Sequence, residues 1–533
     1  MGSVDSTSDN DSDILIIGSG IFGTSTAYHL SQQSQTQNHA SPSPSPPRRI
    51  TVLDRAPTPS PAAASSDINK IVRADYSKPF YMDLAYEAMR YWTSDTVTDT
   101  DSPRGPGPLI SRHFHQTGWV ALDEEDSDLS ARIRKNFRDS GRPDTSADIS
   151  LDEVKTKWGG VLAGIDTTGY DKAYTNSSAG WADACAAVEA MMTEAIKAGG
   201  VRYEVGEVVE LIVCKGEGGS SPEGESNREG DDNKLKLTGV RTADGRTFTS
   251  PKILLATGAW TPWLMSPLEQ KMNIPPQDSI QRQMQAAGVC VAAFRLSEDE
   301  ARHYSQMPVL IYGSKGEVMP PSSSSSTTST STSTSTKEQQ RFFKFTNSNT
   351  FLNTKVHPDT GQKMSVPEPD QKAIPEMLQR ESIEVIRQRV PEILGNGRTP
   401  DDWRLCWDAV SPDQNQLITQ HPDPRLSNLY FATAGSFHSW KFLPNIGRYV
   451  VNVLDGKSNG MEKDEAWAWK TTWQGRGAHE KVLPKRELGS LTIMELRSAF
   501  DDPDTINMSH SENSYLLFTP NRPTFNSVLI RLF

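Results

Sequence analysis

The sequence predicts an α/β protein in which a parallel-sheet nucleotide-binding domain is assembled from separated stretches of chain, with a second domain inserted between them. Three observations carry this. A short apolar run near the N-terminus leads directly into a Gly-x-Gly-x-x-Gly turn. A second apolar run ends in an acidic residue. Further buried-strand patterns recur far down the chain and close on small-residue turns.

Taken in order, residues 14–17 (Ile-Leu-Ile-Ile) read as a buried parallel strand. Gly18, Gly20 and Gly23 then supply a tight turn, room for a pyrophosphate to approach the backbone, and close contact between strand and helix. Residues 24–30 continue as a helix whose N-terminal amides face the phosphates. Residues 50–53 form the next strand, and Asp54 stands where an acidic side chain reaches a ribose hydroxyl. Asp54 lies 31 residues past Gly23, where about 20 would be usual. The Ser-Pro-rich tract at 32–48, read as a solvated loop, accounts for the excess. The fingerprint fits NAD or FAD and leaves the reaction open. Beyond it, 182–198 reads as an amphipathic helix and 199–205 as a short strand; strands at 208–214 and 234–241 flank an acidic loop at 216–232. Residues 253–258 are a buried strand closing on a glycine turn, 429–435 a further strand, and 445–454 its following helix. The nearly pure Ser/Thr stretch at 322–336 reads as a tolerated, solvated insertion.

Composition sets bounds. A chain of 533 residues exceeds what one hydrophobic core serves, so two or three domains are expected. The mean hydropathy of −0.56 is low because of a few polar tracts, not because the whole chain lacks a core. A net charge of −12 argues against a nucleic-acid partner. No apolar run approaches the roughly 20 residues that span a bilayer, so no membrane is expected. The acidic, polar N-terminus resembles no secretory or transit signal, and Gly2 with Ser6 fits only a loose myristoylation pattern. Cys185, Cys214, Cys290 and Cys406 lie far apart and make neither a disulfide nor a metal pattern. The expected location is intracellular, cytoplasmic by default, since the chain ends Leu-Ile-Arg-Leu-Phe and not in a peroxisomal Ser-Lys-Leu type signal.

Four later segments identify the chemistry. They are Asp67-Ile-Asn-Lys-Ile-Val-Arg-Ala-Asp-Tyr76, Arg341-Phe-Phe-Lys-Phe-Thr-Asn347, Arg404-Leu-Cys-Trp-Asp-Ala-Val-Ser-Pro-Asp413, and Gly435-Ser-Phe-His-Ser-Trp-Lys-Phe-Leu-Pro-Asn-Ile-Gly447. In this order, with the N-terminal fingerprint, they resemble the monomeric sarcosine oxidase and fructosyl-amino-acid oxidase (amadoriase) family of the D-amino-acid-oxidase-like superfamily. These are flavoenzymes that oxidise secondary amines of amino acids. The resemblance spans residues 11 to 460. It implies a discontinuous Rossmann-like FAD-binding domain from residues 11–100, 178–268 and 401–458. An α+β substrate domain with an antiparallel sheet is implied from 101–177 and 269–400, leaving 459–533 as a tail of unassigned role. A monomer is implied too.

Carried over residue by residue, the resemblance implies FAD contacts at Gly18, Gly20, Ile21, Phe22, Gly23, Asp54, Arg55, Asn69, Lys70, Val208, Gly258, Cys406, Phe437, His438 and Lys441. Cys406 matches the cysteine bonded through sulfur to the flavin 8α-methyl; the plainer alternative is a buried structural thiol. Lys344 matches the oxygen-activating lysine, whose ammonium stabilises the anion formed as O2 takes an electron; the alternative is a surface lysine on an edge strand. Lys441 matches the lysine that holds the substrate carboxylate, and Arg73 an arginine that shares the task in sarcosine-type members. An ion pair of Arg73 with Asp75 or Asp83 is the alternative there. His438 shapes the flavin pocket and is not assigned as a base. The helix after Lys441 could direct its N-terminal dipole at the flavin. Two positions depart from the family pattern. Ser348 stands where amadoriases carry glutamate and sarcosine oxidase histidine. Phe437 stands where relatives have glycine beside flavin and substrate. The 181 region (Trp181) and Lys70 still resemble the amadoriase branch.

The implied reaction is hydride removal from the C–N bond of a carboxylate-bearing secondary amine, with O2 reduced to H2O2. Sarcosine-, pipecolate-, saccharopine- or fructosyl-amino-acid-like amines all fit. Alternatives are a flavin amine dehydrogenase with another electron acceptor, and a catalytically silent flavin-binding protein, which Phe437 favours most.

Overall fold

A computed structural model describes residues 11–40, 48–94, 106–215, 235–323, 340–471, 484 and 486–491. The acidic loop expected at 216–232, most of the Ser/Thr stretch, the extreme N-terminus and most of the C-terminal tail lie outside the described residues.

The apolar run Ile14–Ile17 forms the centre of a six-stranded sheet. On one side it pairs in parallel with Ile50–Asp54, which pairs in turn with Val201–Val205. On the other side it pairs with Ile253–Leu255, followed by Leu429–Thr433, again in parallel. Leu417–Gln420 closes this edge antiparallel. The run is apolar throughout because both faces are covered. Ile14 and Ile16 join a core with the helices Ile21–Ala40, Ala184–Lys197 and Ile446–Leu454. Leu15 and Ile17 join a core under the antiparallel sheet Val208–Lys215, Leu235–Thr242 and Thr247–Thr249.

A second, eight-stranded sheet runs in the order Asp402–Val410, Gln285–Leu296, Arg341–Phe351, Gly316–Ser323, Val309–Tyr312, Trp119–Glu124, Tyr170–Asn176, Ser146–Ile149. All neighbours are antiparallel except Val309–Tyr312 with Trp119–Glu124. Its far face packs Phe294, Phe343 and Phe345 with Tyr304 and Ile386 from two covering helices. Alternation therefore turns Lys344, Thr346, Ser348 and Thr350 to the opposite face. A small sheet of Asn69–Val72, Gly180–Asp183 and Phe114–His115 bridges the two units.

Two local readings are corrected. The first helix runs on through Ala40, into the tract read as a loop. Gln and Ala sustain a helix until the Ser-Pro repeats, whose prolines lack the amide donor. Ser322 and Ser323 are not in a solvated insertion, since they extend a strand against Phe342 and Arg341. Backbone pairing there is indifferent to side-chain polarity. The tail also carries structure: Met461–Trp467 is a helix whose buried Trp467 donates its indole N–H to Gln416 Oε1 at 3.0 Å. Residues 401–458 divide between the sheets, with Asp402–Val410 in the larger and 417–454 around the parallel one.

Candidate active site

Two adjoining cavities lie between the sheets. The larger, about 420 Å³, is a groove lined by the turn after Ile14–Ile17, by Asp54 and Arg55, by Val208 and Gly258, and by Cys406 and Phe437. The smaller, about 120 Å³, is lined by Arg73, Glu317, Ser348, His438 and Lys441 among others. Lys70, Cys406, Phe437 and Trp440 line both, so the cavities meet there.

The groove fits a dinucleotide. Gly18 has φ +100°, and a Cβ on it would collide with the Ala256 carbonyl. A Cβ on Gly23 would strike the Gly18 carbonyl, so this position must be bare for the helix to start against the strand. Gly20, Ile21 and Phe22, at the start of the helix Ile21–Ala40, line the groove. The Asp54 carboxylate accepts the Ser19 amide at 2.7 Å and the Ser19 hydroxyl at 2.8 Å, which fixes the acid to the turn. Arg55 stacks over the Trp260 ring at 4.4 Å. These groups would hold the AMP half of FAD. Of the expected cofactor contacts, Gly18, Gly20, Ile21, Phe22, Asp54, Arg55, Lys70, Val208, Gly258, Cys406 and Phe437 line the groove. Gly23 and Asn69 do not, while His438 and Lys441 line only the inner cavity.

Cys406 is 4% exposed and packs with Val289, Val291 and Phe437 where the cavities join. Two residues on, Asp408 anchors the opposite turn by accepting the Phe437 amide at 2.6 Å, and it also accepts the Ala409 amide of its own strand at 2.8 Å. Burial raises the Asp408 carboxyl above its ordinary range. The turn it holds is strained, with Ala434, Ser436 and Phe437 at φ 58°, 49° and 61°.

Lys344 does not sit on an exposed edge. Its strand Arg341–Phe351 is flanked on both sides, and its side chain is fully buried. The ammonium donates to Asp67 Oδ2 at 3.0 Å and to the Asn69 carbonyl at 2.7 Å; Lys344 lines neither cavity and lies behind Asp67, which lines the inner one. Asp67 also pairs with Lys70 at 2.8 Å. Burial alone would raise the Asp67 carboxyl, yet Lys344, Lys70 and Arg404 hold it below the usual carboxylate range. Burial likewise opposes the Lys70 charge, and Asp67 overcomes it, holding that ammonium above its ordinary value.

Lys441 Nζ donates to the His438 carbonyl at 2.7 Å and to the Tyr76 hydroxyl at 3.1 Å. Burial, reinforced by the nearby Arg73, pushes its pKa well down. Arg73 lies over Tyr76 at 4.5 Å and Trp119 at 5.0 Å and donates to the Asp75 backbone carbonyl. The Asp75 carboxylate is taken by Asn176 and Tyr174, and Asp83 by Arg142. Burial lowers His438 to about 3, so the ring is neutral. Its Nε2 lies 2.8 Å from the Gln414 carbonyl, which makes Nε2–H a donor and leaves Nδ1 to accept from Tyr76. Asp67, Glu317 and Trp440 were not singled out from sequence; only Asp67, three residues before Lys70, left a signal there.

The chain is similar to known proteins. L-Saccharopine oxidase of Schizosaccharomyces pombe is 26% identical over 470 residues, covering 86% of this chain and 93% of that protein. Amino acid oxidase imqH of Aspergillus flavus is 23% identical over 483 residues, covering 84% and 93%. The crystal structure of a thermally stable mutant of fructosyl peptide oxidase superposes with a TM-score of 0.68 at 23% identity, covering 90% of this chain and 98% of that one; it shares the fold. Residues 13–453, most of the chain, match the family described as FAD dependent oxidoreductase, and the protein belongs to that family.

Proposed function

We propose that the protein is an FAD-dependent oxidase of secondary amines derived from amino acids, releasing an imine and H2O2, with the flavin tethered through Cys406 Sγ. The observation that carries this is a cation-lined cavity opening onto the dinucleotide groove at Cys406. FAD, when bound, supplies the two-electron acceptor for the C–N bond. The chain supplies the rest. Lys441 is reluctant to charge when the cavity is empty, so an entering carboxylate both draws a proton onto Nζ and is held by it. Arg73, braced by two aromatic faces, is the second cation for that carboxylate. His438 is neutral and committed to Gln414, so it orients the turn and moves no proton. Lys344 holds its ammonium against Asp67, the partner of Lys70 at the junction, and a positive charge there favours one-electron reduction of O2. The names of the saccharopine and amino acid oxidases support an amino-acid-derived donor.

A dehydrogenase using another acceptor is favoured by one observation, the neutralisation of Lys344 by Asp67. A peroxide screen of N-alkyl amino acids against their methyl esters tests the main reading. Acids are expected to be turned over at least tenfold faster than esters; equal rates would remove Lys441 and Arg73 from carboxylate binding. Acid precipitation of the same preparation is expected to give a yellow pellet. A colourless pellet with free FAD in solution would refute the Cys406 tether.

A further inference from the structure

The inner cavity holds a carboxylate with no task in the reaction above. Glu317 lies opposite Thr346 in the larger sheet and lines the cavity with Ser314 and Ser348. None of these three lines the cofactor groove, so they face a part of the cavity removed from the junction at Cys406. The other cavity acid, Asp67, is taken by Lys70 and Lys344. Glu317 accepts one long hydrogen bond, 3.4 Å from the Thr346 hydroxyl, and forms no ion pair within 4.0 Å among the described residues. Its backbone is nevertheless fixed. Arg389, fully buried, donates to the carbonyls of Glu317 at 3.2 Å, Thr346 at 2.8 Å and Lys315. Gly316, at φ +122°, has no Cβ to block the approach of the Thr346 carbonyl.

A half-buried carboxylate without an ion-pair partner favours a cation that enters its cavity. Ser348 stands on this wall where the resemblance implies glutamate in amadoriases, and Glu317 supplies a negative charge from the neighbouring strand. We infer that Glu317 binds a second cationic group of the substrate, so that the preferred donors are carboxylate-bearing secondary amines whose side chain ends in an ammonium. This rests on the amine-oxidase reading. The competing role for Glu317 is a local counter-charge to Lys70 and Lys441, whose protonated forms it favours.

Anaerobic reduction of the holoenzyme by Nα-methyl-lysine and by Nα-methyl-norleucine separates these roles, because the two differ only at the far end of the side chain. The wild type is expected to prefer the lysine derivative by on the order of 10- to 100-fold in the second-order rate constant of reduction. Glu317→Gln should collapse that preference to within about threefold, and Glu317→Asp should retain most of it. Absence of preference in the wild type, or an equal loss on both amines in Glu317→Gln, overturns the inference and leaves the oxidase reading intact. Reduction by neither amine overturns both.

Discussion

Buried Lys344 and Asp67 and the part-buried Lys70 form a triad in which one carboxylate serves two ammonium groups. Each charge is tolerable there only because the others are present. Asp67→Asn should therefore destabilise the protein by about 3–5 kcal/mol, measured by denaturant titration. Lys344→Met tests oxygen activation without leaving a stranded cation. Flavin reduction by amine should persist, while reoxidation by O2 in stopped flow slows by orders of magnitude; unchanged reoxidation would favour the dehydrogenase reading. The sequence made Lys344 visible as a cation in an apolar strand. Its burial and its partners were not visible, because Asp67 and Asn69 come from a segment some 275 residues away.

At the level of elements, the sharpest contact is between the strand Asp402–Val410 and the turn at 434–437. Asp408 accepts two backbone amides, that of Ala409 on its own strand and, across the contact, that of Phe437 in left-handed conformation. Asp408→Ala leaves both donors without their acceptor and should cost about 2–4 kcal/mol, read as a lower Tm, with impaired flavin retention. Asp408→Asn keeps one acceptor and should cost less. Strands whose run is apolar, such as Ile14–Ile17 and Leu429–Thr433, were legible residue by residue. The extension of the first helix to Ala40 and the strand at Ser322 were not, because backbone pairing and helix propagation overrode a polar composition. Phe437 stood out in the sequence only as a bulky departure from glycine; the structure places its ring on the wall shared by both cavities.

Across the whole molecule, two sheets enclose a site that neither could form alone. Motif order pointed to both units, but the joint between them was less legible, because 401–458 contributes strands to both sheets. Two buried carboxyls, Asp75 beside Arg73 and Glu269 outside both cavities, give a stability signature. Burial raises Asp75 to about 6 and Glu269 to about 7, above their ordinary values of 3.8 and 4.5. The folded state then holds these protons while the unfolded state has released them, so stability falls as pH rises from about 4 to 7. Glu269→Gln should remove its share of that slope, about 2–3 kcal/mol, seen as a flatter Tm profile between pH 4.5 and 7. Asp67 acts in the opposite sense: its lowered pKa gives stability that is present above pH 3.8 and lost under stronger acid.

The most direct test of the account is anaerobic mixing of the purified holoenzyme with a panel of carboxylate-bearing secondary amines, followed by readmission of O2. The account predicts that at least one amine bleaches the flavin and that O2 restores its colour with one H2O2 released per flavin. A flavin left oxidised by every amine in the panel would contradict it.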